Sequence, residues 1–327
     1  MSSTRLLRYL LRRLLQAIPV LLGVVVLNFL LLQLAPGDAA TVLAGEAGGA
    51  PPEYVSALRA RFGLDQPLAV QLALYIKNIL ALDLGYSFRN ASPVLPLILG
   101  RLSATLLLMG STLILSVGGG VALGLLAALW VRSWKDHLIS VAAIIAYAMP
   151  LFWIGLMLIL LFAIKLDWLP TSGMEDAVAF YQGWERAIDI ARHLILPALT
   201  LSLFYMALYA RLMRATMLEQ RGLDYVITAR AKGLNERQIT LRHVMRNAIM
   251  PVVTVAGIQL GSLLGGSVVV EAVFAWPGLG QLAFQALFAR DLNLLLGIFL
   301  ICSCLVVVAN ILVDLIYVFL DPRVRVD

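Results

Sequence analysis

Long apolar runs separated by short polar segments dominate this chain. An α-helix needs about 20 apolar residues to cross the hydrocarbon core of a bilayer, and six runs reach that length. The pattern therefore predicts six membrane-spanning helices. They cover residues 14–34, 104–130, 138–164, 194–218, 249–270 and 292–320.

The polar segments between these runs differ in charge. Basic residues cluster before the first run, in 131–137 and after 320, and eight of the 25 Lys and Arg lie in 211–249. The 166–193 segment is acidic. Because positively charged segments of membrane proteins stay in the cytoplasm, both termini are predicted to be cytoplasmic. Residues 36–103 and 166–193 are then external.

The composition excludes several classes of protein. Of the 327 residues, 61% are hydrophobic and only 13% are charged, whereas a soluble domain carries about 25% charged residues. A disordered chain, a disulfide-rich secreted scaffold and an ordinary soluble enzyme are therefore excluded. The net charge is +6, and the basic residues lie beside the spans. This placement favours membrane lipid as a partner and gives no support for nucleic acid.

The external segment has helical signals of its own. A short helix is predicted over 52–62, where Pro52 would begin it and Gly63 would end it. A second is predicted over 67–82, with Leu68, Leu72, Tyr75, Ile76 and Ile79 on one stripe. Two interpretations stay open: a cap that packs on the bundle, or a docking surface for an external partner.

The cytoplasmic stretch from Asp224 to Pro251 predicts a helix-turn-helix. We expect Asp224 to cap the first helix, Gly233 to end it at positive φ, and Asn235 to cap the second helix with Gln238. The apolar stripe of the second helix is Leu241, Val244, Met245 and Ala248. The hairpin could lie on anionic lipid or insert into a groove of a protein, and its small residues favour the groove.

This stretch resembles the coupling loop of the permease subunits of ATP-binding-cassette (ABC) importers. Of the general Glu-Ala-Ala-x-x-x-Gly motif the chain keeps Ala229 and Gly233. The match to the dipeptide, oligopeptide and nickel branch is closer: Thr-Ala-Arg-Ala-Lys-Gly-Leu at 228–234, Arg-His at 242–243, Arg-Asn-Ala at 246–248, then Pro251. Further strings of that branch lie at 34–38, 63–67, 83–87, 147–150, 271–280, 314–317 and 321–323. Together these strings make the chain resemble the first of the two permease subunits of such import systems.

The resemblance implies a fold and a set of partners. The fold is an all-α polytopic membrane bundle of the type I ABC importer permease kind, with six transmembrane helices, in the bacterial inner membrane. It divides into a first-helix segment 1–35, an external region 36–103, a core 104–320 that contains the coupling hairpin 219–249, and a tail 321–327. The partners are a second homologous permease, two cytoplasmic ATPases and an external substrate-binding protein. The expected ATPase-coupling residues are Asp224, Thr228, Ala229, Arg230, Ala231, Lys232, Gly233, Leu234, Glu236, Arg237 and Arg242.

No catalytic, metal-binding or cofactor-binding residues are predicted in this chain. It contains no Gly-x-x-x-x-Gly-Lys-Ser/Thr loop, so ATP and Mg would be bound by the partner ATPases. An ion-coupled secondary transporter is the rival function, and it would favour inverted repeats and buried ion ligands. The cargo stays open among dipeptides, oligopeptides, glutathione and nickel chelates. The direction of transport rests on the resemblance alone.

Two further groups of polar residues need a role. The segment after the fifth span is expected to form an external gate, a contact for the binding protein, or a cap that only completes the fold. Its candidate residues are Glu271, Trp276, Gln281, Gln285, Arg290 and Asp291. Asp314 lies inside the sixth run, where a charge needs a partner. We expect a structural pair with Arg211 or Arg214 rather than a proton relay.

Overall fold

Long α-helices make up most of the described chain. The computed structural model describes residues 3–34, 51, 53, 56, 65–87 and 89–320. Its helices are α1 (Ser3–Leu34), α2 (Leu68–Leu80), α3 (Val94–Leu129), α4 (Trp134–Ala148), α5 (Leu151–Leu158), α6 (Gly183–Arg221), α7 (Asp224–Ala231), α8 (Glu236–Gln238), α9 (Met245–Val273), α10 (Leu279–Phe288) and α11 (Leu292–Leu320). Two π-helical segments, Ile159–Lys165 and Ile239–Val244, continue α5 and α8. The strands β1 (Tyr86–Ser87) and β2 (Ser92–Pro93) pair antiparallel.

The predicted all-α bundle of membrane helices is confirmed. Five helices are long and apolar enough to cross a membrane: α1, α3, α6, the continuous helix of α8 and α9, and α11. A sixth span is present if α4 and α5 are counted as one. The helices exceed the apolar runs, since α3 begins ten residues before its run and α6 begins at Gly183.

The third span is broken, so the prediction of one helix over 138–164 is wrong in this detail. The axes of α4 and the helix that starts at Leu151 differ by 109°. Proline disfavours helical geometry in the residue before it, and Met149 is extended with φ −78° and ψ 139°. Pro150 then precedes the first turn of α5. By contrast, Pro197 and Pro251 lie inside continuous helices.

The described residues form two compact units. One contains the residues up to 100 together with 283–311. In it α2 packs beside α1, with the rings of Phe29 and Tyr75 5.9 Å apart. The predicted stripe of α2 is half-buried except for Leu68, which is exposed.

The second unit contains residues 101–282 and those from 312 onward, and α6 runs through its core. Helix α6 packs against both α4 and α9. Glycines let α3 approach closely, because a Cβ added at Gly120 or Gly124 would lie 2.5 Å from an atom of Tyr209 or Ala210. The core is filled by large buried side chains that include Met213, Phe274 and Trp276.

Several predicted features fall outside the described residues. The helix expected over 52–62 is described only at Glu53 and Ser56, which are helical. The tail 321–327 and the string at 34–38 beyond Leu34 are not among the described residues.

Candidate functional site

The candidate coupling hairpin begins where α6 ends. Leu223, in extended conformation with φ −86° and ψ 153°, occupies the N-cap of α7. The prediction that Asp224 caps this helix is therefore wrong by one residue. Asp224 is the first helical residue, and its carboxylate stands in the first turn, where the helix dipole favours negative charge.

Gly233 ends the first arm as the sequence predicts. Its φ is +80°, which is the left-handed region that glycine adopts at little cost. The Gly233 N–H donates to the Arg230 carbonyl at 2.9 Å, and the Leu234 N–H donates to the Ala229 carbonyl at 3.3 Å. This pair of bonds is a Schellman motif, and it reverses the chain sharply after Lys232.

The second arm starts with a complete capping box. The Gln238 N–H donates to Asn235 Oδ1 at 2.8 Å, and the Asn235 N–H donates to Gln238 Oε1 at 3.3 Å. The helix then passes through the π-helical segment 239–244 and continues into α9. Because that segment changes the helical register, Ile239 is buried and Leu241 is 39% exposed. The predicted apolar stripe is therefore wrong at Leu241.

A salt bridge joins the two arms. Arg230 Nε lies 2.6 Å from Glu236 Oε1, and Nη2 lies 3.2 Å from Oε2. Both side chains are more than half exposed, so the bridge contributes little stability and mainly orients the two side chains. Lys232, Arg237 and Arg242 are exposed on the same hairpin.

The expected coupling residues lie almost entirely on the hairpin surface. Ala229 is buried and Leu234 is half-buried, whereas the other nine are exposed: Asp224, Thr228, Arg230, Ala231, Lys232, Gly233, Glu236, Arg237 and Arg242. Val226, Ile239 and Val244 anchor the hairpin from beneath. The arrangement gives an exposed cationic turn on a packed base.

Two polar contacts join the hairpin segment to the end of α6. Thr216 Oγ1 donates to the Ala248 carbonyl at 2.9 Å. Tyr225 OH donates to Gln220 Oε1 at 2.9 Å. Thr228 Oγ1 caps its own turn by donating to the Asp224 carbonyl at 3.0 Å. Only Gly222 and Leu223 separate the hairpin from α6, and its second arm continues into α9.

The segment after α9 is held from inside the protein. Glu271 is fully buried, accepting from Thr105 Oγ1 at 2.9 Å and from the Gln281 N–H at 3.0 Å. Trp276 is also fully buried, and its Nε1–H donates to the Ala104 carbonyl at 2.9 Å. Gly278 is required because an added Cβ would collide with the Glu271 carboxyl. Neither Glu271 nor Trp276 therefore contacts solvent on this chain.

Three of the other candidate gate or contact residues, Gln285, Arg290 and Asp291, belong to the first compact unit. Gln281 belongs to the second unit and is half-buried. Gln285 and Arg290 are exposed. Asp291 caps α11, with the Leu294 N–H 3.1 Å from Oδ1, and its other carboxyl oxygen accepts from Ser87 in β1. Asp291 thus fastens the short strand pair to the start of α11.

Sequence reasoning missed the ion pair between Asp136 and Arg214. Both nitrogen–oxygen distances are 2.7 Å, and Asp136 is 2% exposed. A signal was available, because Arg214 lies inside the run 194–218, where a charge needs a partner. Arg211 stacks on the ring of Tyr147, with its guanidinium carbon 4.9 Å from the ring centre. The two arginines expected beside Asp314 thus have other contacts, and the pairing of Asp314 stays a prediction.

Comparison with known proteins identifies the chain. Residues 120–326 match the family described as binding-protein-dependent transport system inner membrane component, and residues 6–109 match the N-terminal region of such components. The chain belongs to this family. The permease is therefore a multi-pass inner-membrane protein, as predicted.

Curated relatives match the permease along nearly its whole length. It is 42% identical to a protein named as a peptide transport system permease of Brucella abortus (strain 2308), over 97% of this chain and 98% of the relative. It is 39% identical to the oligopeptide transport system permease of Bacillus subtilis, over 97% and 99%. It is 36% identical to the dipeptide transport system permease of Alkalihalophilus pseudofirmus, over 98% and 100%.

A solved structure confirms the predicted type of fold. The permease matches a chain of the inward-facing MetNI methionine ABC transporter with a TM-score of 0.55 and 18% identity. The match covers 69% of this chain and 96% of that chain. At this identity the likeness concerns the fold alone.

Proposed function

We propose that this permease forms half of the membrane pathway of an ATP-driven peptide importer. Three relatives with 36–42% identity carry names that specify peptide, dipeptide or oligopeptide transport. The observation that carries the proposal is the exposed hairpin with its Schellman turn at Gly233, continuous with α6 and α9. Such a rigid projection suits a subunit that receives mechanical work from a partner.

The permease acts without catalytic residues of its own. Two cytoplasmic ATPases bind ATP and Mg and hydrolyse the nucleotide, since the sequence has no phosphate-binding loop of the Walker type. A second homologous permease completes the pathway, and an external binding protein delivers the cargo. This chain needs no cofactor for that role.

The hairpin inserts into a groove of one ATPase. The exposed turn Arg230–Gly233 makes the closest approach, because its small residues Ala231 and Gly233 leave room for the groove walls. Lys232, Arg237 and Arg242 add positive charge around it, which favours an acidic groove. When the ATPases close on ATP, the hairpin acts as a lever on α6 and α9 and shifts the inward–outward equilibrium.

The external binding protein docks near Gln285 and Arg290, which are exposed. The segments on either side are held in position by Asp291, Glu271 and Trp276. Half-buried Gln281 lies between Trp276 and Asp291 in the sequence. A photocrosslinker at Gln285 should link to the binding protein when cargo and ATP are present. Absence of this product, alongside normal transport, would exclude this docking position.

Reconstitution of the whole complex in proteoliposomes tests the function. ATP hydrolysis is measured with the loaded binding protein and dipeptides, longer peptides, glutathione or nickel chelates. We expect peptides to stimulate hydrolysis and to accumulate in the compartment that corresponds to the cytoplasm. If only nickel chelates or only glutathione stimulated ATP hydrolysis, that compound would replace peptides as the proposed cargo. Uptake driven by an ion gradient without ATP would instead indicate a secondary transporter.

A further inference from the structure

A cation and two aromatic rings form a stack between α4 and α6, in the second compact unit. The rings of Tyr147 and Phe204 are 4.8 Å apart and nearly parallel, at 16°. The Arg211 guanidinium carbon is 4.9 Å from the centre of the Tyr147 ring. Phe204 and Arg211 are two turns apart on α6, a rise of about 10 Å. That rise is close to the height of two stacked contacts, so Tyr147 lies between them.

Both residues of the cation–aromatic contact lie inside apolar runs of the sequence. A helix rises about 1.5 Å per residue, which puts Tyr147 about 20 Å along α4 from Trp134 and Arg211 about 15 Å before the end of α6. Tyr147 lies inside the apolar run 138–164, and Arg211 lies seven residues before the end of the apolar run 194–218. Tyr147 also directly precedes the break between α4 and α5.

A guanidinium inside an apolar run is costly to expose to lipid. Arg211 and Tyr147 are both exposed on this chain, Tyr147 by 43%. The ion pairs of the described residues do not include Arg211. Its guanidinium points toward Tyr147, away from the cytoplasmic end of α6. Charged groups in such positions face water or a polar partner.

The chemistry of the stack specifies the ligand. The ring face of Tyr147 covers one face of the guanidinium, which leaves the N–H groups at its edge free. Those N–H groups match the two oxygens of a carboxylate. The surrounding surface is apolar, with Ile144 exposed and Leu208 half-buried. Such a site accepts a carboxylate that carries an apolar neighbour.

We infer that Arg211, stacked on Tyr147, binds the C-terminal carboxylate of the peptide as it passes through the permease. This inference rests on the proposed peptide cargo. It assigns a specificity-determining contact within the membrane pathway, separate from recognition by the binding protein.

The test compares the uptake of a peptide with the uptake of the same peptide bearing a C-terminal amide, both measured in the reconstituted complex. The pair is chosen so that the binding protein binds both forms. Uptake by the Arg211→Gln complex is divided by uptake by the unaltered complex for each cargo, which cancels the preference of the binding protein. We expect uptake of the carboxylate form to fall about tenfold and that of the amide to fall less than twofold. Arg192→Gln, an exposed arginine near the start of α6, should change neither ratio.

The Tyr147 platform gives a second measurement. Tyr147→Phe keeps a ring under the guanidinium and should preserve the discrimination, whereas Tyr147→Ala should reduce it. Equal loss of both cargos in Arg211→Gln, or loss of the second permease on purification, would overturn the inference and indicate a carboxylate of a neighbouring subunit. An unaltered complex that takes up neither peptide form would overturn the peptide cargo and this site together.

Discussion

Arg214 donates two hydrogen bonds to the carboxylate of Asp136, each 2.7 Å long. The same carboxylate accepts the Arg132 N–H at 3.0 Å. Two turns further along α6, Arg221 donates to the Ala128 carbonyl at 2.9 Å. These bonds fasten together the ends of α3, α4 and α6 beside the hairpin.

Removal of one partner from this pair should be costly. Asp136→Asn leaves the Arg214 guanidinium, which is 31% exposed, without its counter-ion. We expect a loss of about 2–3 kcal/mol in the free energy of unfolding, below the range for fully buried pairs. Thermal unfolding of the purified complex measures it. In the double variant Asp136→Asn/Arg214→Gln the loss should be smaller than the sum of the single losses. Strict additivity would show that the pair is not coupled.

Substitutions at Gly233 test the coupling turn through backbone conformation alone. An added Cβ at Gly233 meets nothing within 4 Å, so only the φ of +80° opposes a substitution. Asn tolerates this conformation and Gly233→Asn should keep peptide-stimulated ATP hydrolysis. The β-branched side chain in Gly233→Val should abolish the stimulation or the assembly with the ATPases.

Gly222→Ala is the matched control for this turn. Its φ is −83°, and the nearest atom to an added Cβ is the Glu219 carbonyl oxygen at 3.5 Å. This variant should behave as the unaltered complex. Normal transport and normal stimulation by Gly233→Val would remove the hairpin from the coupling mechanism.

The contact between α3 and α6 depends on the absence of a side chain at Gly124. An added Cβ would lie 2.5 Å from the Ala210 carbonyl oxygen and 2.6 Å from Met213 Cβ. Gly124→Ala should therefore destabilise the permease by about 1–3 kcal/mol through overpacking. Gly118 in the same helix has open space at its Cβ position, so Gly118→Ala should be neutral or stabilising by up to about 1 kcal/mol. Equal melting temperatures for the two variants would contradict this packing.

The loop between α5 and α6 should respond to acid. The Arg186 guanidinium is hydrogen-bonded to Glu175 and lowers the pKa of that carboxyl below its ordinary value. A carboxyl with a lowered pKa stabilises the folded loop above its ordinary pKa, and this contribution is lost as the pH falls through the lowered value. The fluorescence of exposed Trp184 should therefore change only below about pH 4. Arg186→Gln should move the change to higher pH, and an unmoved midpoint would exclude the pair as its cause.

Local rules predicted the hairpin well and the packing poorly. Gly233, Asn235 and Gln238 were predictable because turn and capping chemistry depend on neighbours within four residues. Leu241 was assigned to the wrong face because a π-helical segment shifts the register, and no side chain in the sequence specifies it. The break at Met149 was indicated by Pro150, but its size of 109° depends on what the two halves pack against.

Pairs far apart in sequence could not be derived. The bonds from Arg214 to Asp136 and from Trp276 to Ala104 join residues 78 and 172 positions apart. A charged or aromatic side chain in an apolar run indicates that a partner exists, but only the fold determines which one. For the same reason the external role expected of Glu271 and Trp276 gave no hint of their complete burial.

The break at Met149 and Pro150 interrupts the helical hydrogen bonds of main-chain groups inside the apolar run 138–164. The last carbonyls of α4 and the N–H groups of Leu151 and Phe152 lie beyond the reach of intrahelical bonds, whereas the Trp153 and Ile154 N–H groups donate to the Pro150 carbonyl. They bring the fractional charges of two helix dipoles to one point, about half a unit of charge for each full-length helix. A chain with only 13% charged residues thus has polar main-chain groups inside an apolar run, and no substitution of a side chain would remove them.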